Sequence, residues 1–169
     1  MVVTLHSYRK ESPFLFEKEK LRITTVLNNI DIHHVGSSAV LDLNGKNIID
    51  ILIGLDNFLQ DVKGISSKLS KLGYVLKFID KEKEWAYLSK FTDSSKCEYH
   101  VHLVWKNSKN YEDWFLFRNY LRKHKEERDN YAKLKEKWLM KSKRVAKVYA
   151  GLKTEYVQSV LDKARKEQS

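Results

Sequence analysis

The apolar run IIDILI, residues 48–53, carries a single charge, Asp50, twelve residues after Ser38. An unpaired buried carboxylate is costly, so Asp50 belongs at the wet end of a strand or beside a positive group. Gly36-Ser37-Ser38 closes a short β-branched segment. A glycine turn there can aim neighbouring amides and hydroxyls at one point, as backbone nests do when they hold phosphate oxygens. Glycine and serine are also ordinary turn residues, and the Gly-Lys-Ser/Thr of a Walker A loop is missing. A turn–helix–turn return between Ser38 and Asp50 would set the carboxylate beside the turn. That juxtaposition suits phosphoryl chemistry, in which a divalent cation, Mg2+ or Mn2+ ahead of Zn2+, gathers oxygens and disperses charge. Lys46, four residues before Asp50, can offset either Asp50 or a bound phosphate, and reads equally as a solvent-facing lysine at the strand entry.

A second group lies downstream. In CEYHVHLVW the alternation places Glu98, His100 and His102 on one strand face and Tyr99, Val101 and Leu103 on the other. Two imidazoles sharing a face suit a metal site, a phosphate clamp or an acid–base pair, with Asp50 as the third metal ligand and Glu98 as a farther one. Packing or surface exposure accounts for the pair equally well. His33 and His34 point oppositely on a strand; His34, two residues before Gly36, is the better placed for a site, and His33 for packing. His6 and His124 have no comparable surroundings. Arg118, Lys135 and Lys153 can project toward a phosphate-bearing ligand. Trp114, Trp138 and Tyr149 can stack on one, although their helical periodicity favours core packing.

These side chains need elements to hold them. Ser12 as N-cap and Pro13 in the first turn predict a helix over residues 12–28, with Phe14, Leu15, Leu21, Val26 and Leu27 on an irregular apolar side. Glu17, Lys18, Glu19 and Lys20 would stay in water. IDIHHVG predicts a strand ending at Gly36, and residues 46–54 an interior strand, because the apolar run is unbroken. A helix over residues 56–72, weakened by Gly64 and ended by Gly73, leads to a strand in GYVLKFID. WAYLSKF continues the sheet, and CEYHVHLVW is its clearest alternating strand. From Tyr111 onward the pattern is helical: residues 111–124, residues 126–140, and a last helix burying Val145, Val148, Tyr149, Leu152, Tyr156, Val157, Val160 and Leu161. With no repeat or low-complexity linker, residues 1–169 read as a single α+β domain with a helical C-terminal third.

Composition bounds the function. The 169 residues are 42% hydrophobic, enough for one real core. No apolar run approaches the roughly 20 residues that span a bilayer. The first residues lack a secretory pattern, so cytoplasm is expected. Cys97 is the only cysteine, which excludes an intramolecular disulfide and a four-cysteine zinc site. The net charge is +10, and residues 106–169 hold 18 Lys/Arg against 9 Asp/Glu. Such a basic third attracts nucleic acid, a nucleotide or another acidic partner, or is simply a solvated helical surface.

Four blocks in this order, HHVGSSAVLDLNGKNIIDILIG, YHVHLV, FRNYLRKHKEERDNYAKLK and YAGLKTEYVQSVLDKA, resemble the GrpB family over nearly the whole chain. The family pattern HIGSTAVPGLAAKPIIDI corresponds to residues 34–51, where His34, Gly36, Ser37, Lys46 and Asp50 match. Ser38 stands for the usual Thr, Leu41-Asp42 for Pro-Gly and Asn47 for Pro. His100 and His102 match an HLH-like block, and Arg118, Tyr131, Lys135, Tyr149 and Lys153 also fit family positions. The resemblance implies a nucleotidyltransferase-like fold, a mixed β-sheet packed with helices. It further implies a pocket in which Gly36, Ser37, Ser38 and Lys46 hold a nucleoside triphosphate or other small phosphorylated ligand, Asp50 binds a divalent metal, and His102 and His100 complete the metal shell or handle a proton. Nucleotidyltransferases usually follow Gly-Ser with Asp-x-Asp or Asp-x-Glu; here Leu52 occupies the second position. Leucine cannot ligate Mg2+, so Glu98 or an imidazole would have to substitute. The readings that result are nucleotidyl transfer to an acceptor, noncatalytic nucleotide or phosphometabolite binding, a nucleic-acid-associated basic module, and a metallohydrolase.

Overall fold

β-branched and aliphatic side chains run without a break from Ile48 to Leu55 apart from Asp50 and Gly54, and this segment is an inner strand of the sheet. The computed structural model describes residues 2–92 and 97–168. Its strands are β1 (Asp31–Val35), β2 (Ile48–Leu55), β3 (Val75–Asp80), β4 (Trp85–Thr92) and β5 (Cys97–Trp105). Its helices are α1 (Ser12–Thr24), α2 (Phe58–Ser70), α3 (Lys109–Lys123), α4 (Lys125–Lys141) and α5 (Ala146–Gln168). Among the described residues the sheet order is β1-β2-β5-β4-β3. Only the central β2–β5 pair is parallel; the other neighbours are antiparallel, so the sheet is mixed.

The two faces of the sheet are covered differently. Ile49, Ile51 and Ile53 of β2, with Leu88 of β4 and Val101 and Leu103 of β5, face α1 and α2 and pack on Phe16, Ile23, Phe58, Val62 and Leu69. The opposite face carries Val35, Leu52 and Val104, which meet Trp114 and Phe115 of α3. The three C-terminal helices have an apolar centre of their own around Leu121, Tyr131 and Val160, joined by Val40 and Leu43 from the loop before β2. Among the described residues no helix is long and apolar enough to cross a membrane.

Several local expectations are corrected. The first helix stops at Thr24 and buries Ser12, Phe16, Glu19 and Ile23, spaced by four, three and four residues, while Phe14 and Leu21 are exposed. Glu19, expected in water, is 2% exposed because Lys90 reaches it from β4 at 2.6 Å and the Tyr74 hydroxyl donates to it at 3.0 Å. A partner 71 residues away leaves no local mark in the sequence. The last helix starts after Val145, and both Val145 and Val148 are exposed; the buried stripe is Tyr149, Val160, Leu161 and Ala164. Between Ser38 and Asp50 the chain makes one 3-10 turn, Ser37–Ala39, and then a loop instead of a helix. That loop is held by a bridge in which the His6 and Gly45 amides each donate to the other's carbonyl, at 2.7 and 3.0 Å. The side chain of Cys97, at the start of β5, lies outside the described residues.

Candidate functional site

The end of β1 and the middle of β2 are brought together by sheet register. Val35 pairs with Asp50, Asp50 with His100, Leu52 with His102, and His102 with Tyr87. Paired residues share a face, so the carboxylate, both imidazoles and Tyr87 emerge on the side covered by α3, α4 and α5. Gly36 then turns the chain with φ +71°, a backbone region that side chains disfavour. A Cβ at Gly36 would also collide with the Asp50 carboxylate. Glycine is therefore required twice, for the turn and for the approach of Asp50 to it.

Asp50 keeps 22% of its side-chain surface accessible, and its Oδ1 lies 3.6 Å from His100 Nδ1 and 3.5 Å from His102 Nε2. Burial pushes its carboxyl up, but His102, His100 and Lys46 together outweigh that and hold it below the usual carboxylate range. The charge inside the apolar strand is thus met by cationic or proton-bearing groups at a cavity wall. Trp85 Nε1 donates to His102 Nδ1 at 3.2 Å. This bond leaves the neutral imidazole with its proton on Nε2, facing Asp50 at 3.5 Å, and among the described residues that atom makes no closer polar contact. His100 is turned between two carboxylates, with Glu98 Oε1 2.7 Å from its Nε2. Hydrogen bonding to His100 is the main reason that the Glu98 carboxyl is held below its ordinary range.

Around Asp50 opens a cavity of about 610 Å3. Gly36, Ser37, Ser38 and Lys46 line one part of it, and His100 and His102 another. Lys135 of α4 and Lys153 of α5 enter from the helices. Much of the remaining wall is aromatic, with Trp85, Tyr87, Trp114, Phe117, Tyr131 and Tyr149, and the charged residues Arg9 and Asp113 also border it. Lys135 is 2% exposed; its Nζ donates to the Asn44 carbonyl and, at 3.3 Å, to Ser37 Oγ, and lies 4.8 Å from the centre of the Tyr131 ring. Burial, with the charge of Lys153, pulls its ammonium down to about 7. Lys153 lies 5.9 Å from the Tyr131 ring centre and 5.7 Å from that of Tyr149. Burial lowers Lys46 as well, opposed by Asp50 and reinforced by Lys153. The lysine–carboxylate bridges among the described residues involve Lys83, Lys90, Lys106, Lys123, Lys125 and Lys163, and none of the three cavity lysines.

His34, Glu98 and Arg118 are not among the cavity-lining residues. His34 faces α1, stacked on Phe16 at 4.7 Å, with its Nε2 3.0 Å from Ser38 Oγ; burial pulls its imidazole down to about 4. Arg118 Nη1 donates to the His34 carbonyl and Arg122 Nε to the Ala39 carbonyl, both at 2.8 Å, so α3 anchors the turn from outside. Glu98 stands behind His100. His33 joins Asp31, Tyr111 and Phe115 in a cluster of its own, and His124 meets Glu167 at 2.8 Å. Trp85 and Tyr87 are the site residues that sequence reasoning missed. Alternation in WAYLSKF, continued through the pairing of β4 with β5, is the signal that places them on the imidazole face.

The donors present do not fit a catalytic divalent cation. Leu52 is fully buried against Val35 and Val104 where a second carboxylate would stand. The Trp85 bond commits His102 Nε2 to being a donor, and both nitrogens of His100 face carboxylates. Among the described residues no three His, Cys, Asp or Glu side chains converge as a metal-holding group.

A family model described as GrpB protein matches residues 2–163. A UPF0157 protein of Halalkalibacterium halodurans is 31% identical over 164 residues, covering 96% of this chain and 82% of that one. The UPF0157 protein YqkA of Bacillus subtilis is 27% identical over 164 residues; the match takes in 97% of this chain and 47% of YqkA. The crystal structure of the conserved protein GrpB from Enterococcus faecalis superposes with a TM-score of 0.81 at 23% identity, covering 98% of this chain and 99% of the other. A partial overlap, with a TM-score of 0.49 and 10% identity, relates 69% of this chain to 39% of the Cid1 poly(U) polymerase.

Proposed function

The chain belongs to the GrpB family, and from the chemistry of its cavity we propose that it binds a small phosphorylated ligand, with a nucleotide as the class that fits best. The observation that carries this reading is the meeting of three lysines, none in a carboxylate bridge among the described residues, and a serine-lined turn with aromatic rings in the wall. Ammonium and hydroxyl donors suit phosphate oxygens, and aromatic faces suit a planar base. A cavity of about 610 Å3 falls within the usual range of small-molecule sites.

Nucleotidyl transfer receives less support than binding, because Leu52 stands in place of the second carboxylate of the usual metal clamp and no metal-holding group of three His, Cys, Asp or Glu forms among the described residues. The basic helical third also gives less support to a nucleic-acid module. Lys135 and Lys153 turn inward, while Lys125 is paired with a carboxylate of its own helix and Lys123, Lys163 and Arg165 with carboxylates of a neighbouring C-terminal helix. Equilibrium binding of labelled nucleotides and sugar phosphates to the purified chain tests the proposal. Saturable binding is expected, weakened about tenfold or more by Lys153→Ala. Failure of every phosphorylated probe to bind overturns it.

A further inference from the structure

We propose that Lys46, Lys135 and Lys153 hold the ligand's phosphate without a divalent cation, so that the cavity takes a nucleoside monophosphate in preference to a triphosphate. This rests on the reading of the cavity as a phosphorylated-ligand site and adds the source of its positive charge.

The three lysines come from separate parts of the chain: the loop before β2, α4 and α5. They nevertheless share one field, since Lys153 lowers the proton affinity of both Lys46 and Lys135. Tyr131 lies between the ammoniums of Lys135 and Lys153 in the sense that its ring centre is within 4.8 Å of one and 5.9 Å of the other. Like charges gathered without a counter-ion repel, and burying an ammonium without a carboxylate is costly. Among the described residues Lys135, 2% exposed, has the Ser37 hydroxyl and the Asn44 carbonyl as its acceptors. An anion seated beside it supplies the missing partner and restores the proton that burial drives off.

The polarity of the wall points the same way. Lys46, Lys135, Lys153, the Ser37 and Ser38 hydroxyls and the His102 Nε2 proton are all donors; the lining carboxylates are Asp50 and Asp113, and Asp113 is already paired with Arg165. Naked phosphate oxygens accept from such a wall, whereas a divalent cation needs several acceptors. With Arg9 beside Glu11 and Asp113 paired with Arg165, the three ammoniums less Asp50 leave about two positive charges, matching the charge of roughly −1.5 to −2 on a phosphate monoester at neutral pH. A triphosphate carries more negative charge than this set offsets and ordinarily arrives with Mg2+.

The test measures binding of the four ribonucleoside monophosphates, the four triphosphates and inorganic phosphate to the full chain, in excess EDTA and in excess Mg2+. The expected result is at least one monophosphate whose Kd changes less than about threefold between the two conditions and whose triphosphate binds about tenfold more weakly in EDTA. Lys135→Met and Lys153→Ala should each weaken that monophosphate about tenfold or more, with circular dichroism and melting showing both variants folded. Titrations of the parent chain at a pH of about 8, in buffers of differing ionisation heat, should reveal proton uptake on binding that Lys135→Met abolishes. Binding that requires Mg2+, or that favours the triphosphate in EDTA, overturns the metal-free inference and leaves the phosphorylated-ligand reading standing. Inorganic phosphate binding as tightly as any nucleotide overturns the nucleotide class. No binding by any probe overturns both.

Discussion

Glu19, between α1 and the sheet, has a side chain only 3% exposed that touches Lys90 Nζ at 2.6 Å and the Tyr74 hydroxyl at 3.0 Å. Asp50, on the other face of the same sheet, keeps 22% of its side chain accessible and comes no nearer to His102 and His100 than 3.5 and 3.6 Å. Both carboxylates lie against the same sheet, yet one has its partners built in and the other is left with loose contacts in a cavity. The cations follow the same division. Lys90 meets a carboxylate, and Lys135, just as enclosed, meets a hydroxyl and a carbonyl. A buried charge completed from within the chain serves the fold; one left incomplete beside a cavity is available to a ligand.

The largest test of that contrast is Lys90→Met, which leaves Glu19 sealed and unpaired. It should cost about 3–5 kcal/mol in urea unfolding, and Glu19→Leu combined with Lys90→Met should recover most of the loss. A loss below about 1 kcal/mol erases the distinction. Gly36→Ala comes next, at about 2–3 kcal/mol, because it forces a side chain onto φ +71° and against Asp50. Asp50→Ala in the same chain should relieve the part of the collision owed to the carboxylate, leaving the contact with Cβ and the backbone strain, which paired melting curves would resolve.

Lys135→Met should move stability the other way, raising it by roughly 1–3 kcal/mol at neutral pH. Its folded pKa of about 7 lies below the ordinary 10.5, so across that interval the unfolded chain binds a proton that the folded one lacks. The parent chain therefore loses stability as pH falls from 10.5 toward 7 and loses no more from this group below that. Urea midpoints at a pH of about 9 and about 7 should show this slope in the parent and not in the variant. Asp50→Asn should have the smallest effect, under about 1 kcal/mol, because its contacts are long and water reaches it. A cost matching that of Lys90→Met would place Asp50 with Glu19 among structural charges.

What the sequence revealed and what it hid follow from the range of the forces involved. Alternation in CEYHVHLVW correctly sets His100 and His102 opposite Val101 and Leu103, because face is a local property of a strand. The unbroken run of β2 marks an inner strand for the same reason. His34 and Glu19 were illegible because each is decided by a distant partner: Phe16 stacks on the first, and Lys90 neutralises the second. Hydrophobic counting put Phe14 and Leu21 on the inner side of α1, whereas the ion pair makes a polar residue part of the buried stripe. Lys135 and Lys153 stood out only as two basic residues among many. Their entry into the cavity depends on how α4 and α5 lie against the turn after β1, which no helical period encodes.

The bond from Trp85 to His102 has a practical corollary. Trp85 and Trp114, with ring centres 5.9 and 4.6 Å from that imidazole, are two of the chain's four tryptophans and both border the same hollow. Trp105 and Trp138 pack elsewhere, one against the main core and the other among the C-terminal helices. The molecule thus carries its own fluorescent gauge of occupancy, with two indoles that sense the guest and two that serve as an internal reference.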